Sequence, residues 1–210
     1  MTVADEGGRP MRFNPFEVPE GVLVGEHAAN LLACFKAAFG LWEPLPSIYE
    51  EALGLSYLRA GFLASERARG AVPAISMAPR PWPTVVEFMR AMREVTADLG
   101  YVGEVRANIE AASIRRARQL VRGVTASVFL TSHPNDIAGL LDHPVILELK
   151  SLGSGDEQAL MMALLLNAVT EHYQATRGAT ADLVHVTVVE EAHRTKSAAV
   201  RRTSAQSWRR

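Results

Sequence analysis

The sequence predicts an α/β fold with a parallel sheet, joined to a helical part, and three stretches carry that expectation. PVILEL (144–149) is a continuous apolar run of the kind buried on both faces of a parallel sheet. The helical stretch from Asp156 to Arg177 contains ALMMALLLNAV (159–169), and LVHVTVV (183–189) then returns to β-branched residues. Strand, long helix, strand is the repeating unit of such sheets, so the long helix is expected to pack on the sheet.

In order along the chain, residues 1–25 read as a lead-in loop, because Pro10, Pro15, Pro19 and Gly21 interrupt any regular pattern. A helical part is expected over 26–123. Glu26 leads into HAANLLACFKAAF, with Leu31, Leu32, Phe35 and Phe39 at helical spacing and Gly40 as the stop. A second helix fits Ser47 to Ala60, where Ile48, Ala52, Leu55 and Leu58 recur on one face. The proline-rich segment 63–83 reads as a loop. Thr84 followed by Glu87 has capping-box spacing and opens a third helix ended by Gly100. A fourth runs roughly from Gly103 to Arg122, closed by Gly123.

From 124 to 194 the α/β part is expected: ASVFLT (126–131) and PVILEL as strands, the helix from Asp156, then LVHVTVV. The last stretch, 195–210 (TKSAAVRRTSAQSWRR), is irregular and basic.

Composition bounds what the chain can do. A length of 210 residues with 48% hydrophobic content suits one ordinary globular domain, or one domain with a sizeable insertion. The net charge of -1 gives no overall basic footprint, so nucleic-acid binding does not follow from charge, and a local surface stays open. The single cysteine, Cys34, cannot form an internal disulfide and falls within an apolar helical pattern, which points to a buried thiol and a reducing compartment. The first twenty residues lack a signal-peptide core, and the longest apolar run is too short to span a bilayer. A soluble cytoplasmic protein is the expectation.

The stretch with chemistry in it is HVTVVEEAHR (185–194), where an apolar strand pattern ends in Glu190 and Glu191. Ligands of open parallel sheets bind beyond the carboxyl ends of the strands. Two acids there suit phosphoryl transfer: one holds a hydrated magnesium ion and the next orients the attacking water. Taken alone, VVEE is better read as a strand that simply exits into a polar loop.

Several blocks in order carry a resemblance. They are MRFNPFEVPEG (11–21), EHAANLLACFKAAFGLWEPLPSIYEEALGLSYLRAG (26–61), residues 83–123, HPVILELKSLGSGDEQALMMALLLNAVTEHYQATRG (143–178) and LVHVTVVEEAHR (183–194). Together they resemble the HerA-like and VirB4-like ATPases of the FtsK/HerA superfamily of DNA-translocating motors.

The resemblance implies a partial RecA-like parallel-sheet P-loop ATPase core with a helical insertion subdomain. It implies ATP and Mg2+ as cofactors, Glu190 as the magnesium-associated acid and Glu191 as the catalytic acid. His193 stands where a γ-phosphate sensor or a link to the DNA-facing surface is permitted, and an ordinary histidine hydrogen bond explains it as well. Arg194 has the same two readings. Double-stranded DNA, a homo-hexamer and a nuclease or defence effector are the implied partners.

One motif of that family is missing. Lys36, Lys150 and Lys196 are the only lysines, and none completes the G-x-x-x-x-G-K-[ST] phosphate loop. The chain is therefore expected to be a fragment, inactive by itself, of an ATP-dependent translocase or helicase. The alternative is a truncated, non-enzymatic remnant that acts through protein contacts.

Among other polar clusters, Arg115, Arg116, Arg118 and Arg122 form a basic helical face suited to phosphate contact or to solvation. His133, Asp136, Asp142 and His143 match no metal-ligand spacing. Glu148, inside PVILEL, needs a polar partner if that strand is buried.

Overall fold

Helices dominate the computed structural model, which describes residues 11–68, 80–131, 134, 136–152, 154–177, 183 and 185–190. Among the described residues 62% are helical and 2% pair as strand, so the expected α/β class and its RecA-like parallel-sheet core are corrected to a helical fold.

The helices are α1 (Val24–Phe39), α2 (Leu45–Arg59), α3 (Val85–Asp98), α4 (Gly103–Ala117), α5 (Gly123–Phe129), α6 (Ile137–Leu141) and α7 (Gly155–Arg177). A 3₁₀ turn, Arg118–Val121, extends α4. Helix α1 ends as the sequence indicates: Gly40 takes the left-handed conformation (φ 56°) and donates its N–H to the Lys36 carbonyl. The capping box at α3 forms as expected, with Thr84 Oγ1 accepting from the backbone and Glu87 reaching back to the Thr84 N–H. These hydrogen bonds hold the Glu87 carboxyl below its usual range although partial burial pushes it up.

The core is aromatic where the first three helices meet the lead-in segment. Phe35, Tyr49 and Phe88 are fully buried and lie with ring centroids 5.5–5.6 Å apart. Phe16 joins them at 5.4 Å from Phe88. Stacked and edge-on pairs at these distances add to the area each ring buries. Tyr49 satisfies its hydroxyl by donating to the Ser113 carbonyl at 3.1 Å, which ties α2 to α4.

The Asn-Pro-Phe block, read from sequence only as part of a resemblance, has a structural role. The Asn14 side chain donates to the Pro83 carbonyl at 3.0 Å and accepts from the Phe16 N–H at 3.2 Å. The Phe16 carbonyl in turn accepts from the Tyr57 hydroxyl at 2.9 Å. Residues 21–25 pair antiparallel with 64–68 through Gly21, Val24 and Gly25 as donors and Ala68 donating back to Val22. A Cβ at Gly25 would stand 3.0 Å from the Ala64 carbonyl oxygen, so only glycine allows this approach without a shift.

Three elements depart from the sequence reading. ASVFLT is not a strand: residues 123–129 are helix α5, with Thr125, Val128 and Phe129 buried on one face at helical spacing. PVILEL forms no strand beyond one bridge residue at Glu148, and Val145, Ile146 and Leu147 are exposed. The described part of LVHVTVV likewise has neither helix nor strand pairing, with Leu183, Val186 and Val188 exposed. Helix α7 packs against α1, not against a sheet. The physical reason is that a helix satisfies its own backbone groups, whereas a parallel strand is completed only by neighbours on both sides.

Candidate functional site

Glu190 is exposed and sits in a turn that follows residues 185–189, which are neither helical nor paired as strand. The segment touches the helical part at its start: the His185 ring lies 5.0 Å from the Tyr173 ring on α7 and hydrogen-bonds Thr187 Oγ1 at 2.8 Å. Glu191, His193 and Arg194 lie outside the described residues.

Magnesium can be held by one carboxylate when phosphate oxygens and water fill the remaining positions. An exposed carboxylate such as Glu190 fits that mode. Among the described residues no group of three or more acids, histidines or cysteines could enclose a metal by itself. Asp136, Asp142 and His143 form no such group, and His133 lies outside the described residues. Burial raises the Glu17 carboxyl, and repulsion from Asp136 adds to the effect. Glu148 is exposed, so the anticipated need for a buried partner does not arise.

The most buried charged cluster escaped the sequence reading. Glu171 on α7 is 2% exposed, and its Oε2 lies 2.6 Å from His27 Nδ1 on α1. Asn30 donates to Glu171 Oε1 at 2.7 Å, and His27 Nε2 donates to the Pro15 carbonyl at 2.9 Å. Desolvation pushes the Glu171 carboxyl up, but hydrogen bonds and charge from His27, with Asn30 and Asn167, bring it below its usual range. A signal was present: Leu160, Leu164, Ala168 and Glu171 recur at helical spacing, which aims Glu171 at the same interior as the leucines.

Nearby, burial pushes the Cys34 thiol up to about 12, with Glu171 adding to the shift. A thiol so shifted stays protonated at neutral pH and is inert as a nucleophile.

The basic face noted in the sequence borders a cavity of about 370 Å³ where α4, the end of α1 and the start of α7 converge. Arg115 and Arg116 line it and Arg118 and Arg122 do not.

Comparison with protein-family models, curated proteins and solved structures returns no match for the chain. No helix among the described residues is long and apolar enough to cross a membrane.

Proposed function

We propose that this chain is the part of an ATP-dependent DNA translocase of the HerA/VirB4 type that carries its acidic residues. The observation that carries the reading is the ordered set of blocks ending in VVEEAHR, with Glu190 exposed at the end of an apolar stretch. In this reading Glu190 associates with magnesium, Glu191 orients the attacking water, and His193 and Arg194 stand beside the nucleotide phosphates. Bound Mg-ATP supplies the transferable phosphoryl group and the charge that neutralises it. The chain's own share is to hold a carboxylate at the metal and another at the water.

No phosphate loop occurs among the 210 residues, so the chain alone does not turn over ATP. Double-stranded DNA, a homo-hexameric ring and a nuclease or defence effector are the partners of the complete machine, and the cytoplasm is its compartment. A second reading, a non-enzymatic module working through protein contacts, draws on the exposed Leu183, Val186 and Val188.

The test is to join the chain to the polypeptide encoded immediately upstream and assay Mg-ATP hydrolysis. The translocase reading expects a G-x-x-x-x-G-K-[ST] sequence there and turnover that Glu191→Gln reduces by about 100-fold or more. Absence of that sequence, or turnover indifferent to Glu191→Gln, sinks it in favour of the second reading.

A further inference from the structure

We propose that Tyr173 is the positioning residue of the acid-bearing segment: its ring on α7 docks His185 and so sets where the stretch ending in Glu190 and Glu191 leaves the helical body. The role rests on the translocase reading, in which those two acids serve magnesium and the attacking water.

Contact with the helical body is concentrated at the start of the segment. His185 is half-buried, whereas Leu183 before it and Val186, Thr187 and Val188 after it are exposed. Its ring lies 5.0 Å from the Tyr173 ring, tilted by 32°. His172 stands edge-on to Tyr173 at 5.2 Å, so three rings gather near the C-terminal end of α7. His185 Nε2 also hydrogen-bonds Thr187 Oγ1 at 2.8 Å, which holds residues 185–187 in one local arrangement. Val189, next to Glu190, is half-buried again.

The foothold is itself rooted in the core. Glu171 pairs with His27 at 2.6 Å where α7 packs along α1. Two residues further along a helix is a rotation of about 200°, so Tyr173 leaves α7 on the face opposite Glu171. One face of α7 locks the helix to the core and the opposite face receives the segment. Aromatic pairs are individually weak but fix distance and angle. A carboxylate that orients water must be placed within about 0.5 Å, so loss of a foothold for its segment costs rate more than binding.

Two measurements test the role. In the full chain, the aromatic proton–carbon NMR spectrum is expected to show the His185 Cε1–H signal displaced by the Tyr173 ring current. Tyr173→Leu is expected to return it to the position of a free histidine, and Tyr173→Phe to leave it displaced. In the chain joined to the polypeptide encoded immediately upstream, Tyr173→Leu is expected to lower kcat for Mg-ATP about 5-fold, with KM changed less than about 2-fold. Tyr173→Phe keeps the ring and is expected to retain full turnover.

His185→Ala removes the partner and leaves the helix residue, so it is expected to match Tyr173→Leu. The double variant is expected to lose no more than either alone. Losses that multiply in the double variant, full turnover in both single variants, or a His185 signal indifferent to Tyr173→Leu would overturn the positioning role while the translocase reading stands. No turnover by the natural joined polypeptide refutes the translocase reading, and the positioning role falls with it.

Discussion

The helical core and the segments outside it draw on the same apolar residue types and treat them in opposite ways. Phe35, Tyr49 and Phe88 are sealed from solvent in one aromatic cluster. Ile146 and Val188 are 79% and 82% exposed. Apolar content therefore does not decide burial by itself. A helical segment completes its backbone hydrogen bonds within a few residues and then needs only one face covered. An extended segment must find neighbours for its backbone before its side chains can form a layer.

That contrast can be broken at its strongest point. Phe88→Ala removes the ring shared by Phe16, Phe35 and Tyr49, and is expected to destabilise the fold by about 3–5 kcal/mol in urea unfolding. A loss below about 1 kcal/mol would mean that the cluster is not the organising core. Next in size is Glu171→Gln, expected to cost about 3 kcal/mol because it leaves His27 without its carboxylate inside the α1–α7 contact.

The same pair sets a pH response. Glu171 has its carboxyl depressed in the fold, so its contribution is complete above the unfolded value near 4.5 and is lost as pH falls through the lower folded value. Thermal unfolding followed from pH 6 to pH 3 is expected to lose stability faster in the natural chain than in Glu171→Gln. Equal slopes would remove Glu171 from the account.

Smaller effects sharpen the boundary between the regions. Thr84→Ala deletes one half of the capping box and is expected to cost about 1 kcal/mol in the same unfolding experiment. Val188→Thr, in the exposed segment, is expected to change stability by less than about 0.5 kcal/mol. A substantial loss at Val188 would show that the segment is packed after all.

What the sequence made legible follows the same division. Helices α1 to α4 and α7 were readable because their signals are local: the Gly40 stop, the Thr84–Glu87 pair, and apolar residues at helical spacing. Helix α5 was misread because ASVFLT is short and rich in apolar and β-branched residues, where either period fits. The spacing of Thr125, Val128 and Phe129 decides for a helix only when the core they enter is known. The parallel sheet was inferred from PVILEL and LVHVTVV by assuming partners, and a parallel strand's partners are distant in sequence.

Of the candidate site, Glu190 alone is among the described residues, exposed at a turn, and its role at magnesium rests on the sequence blocks. The helical spacing that aims Glu171 inward is local, but its pairing with His27, 144 positions away, is displayed by no local pattern.

Hydrogen exchange of the purified chain, read by mass spectrometry, tests the central contrast most directly. Backbone amides of α1 and α3 are expected to exchange slowly, at a rate set by global unfolding, while those of 185–189 exchange orders of magnitude faster. Comparable protection in 185–189 and in α1 would contradict the account, because it would require that segment to be paired within a folded sheet.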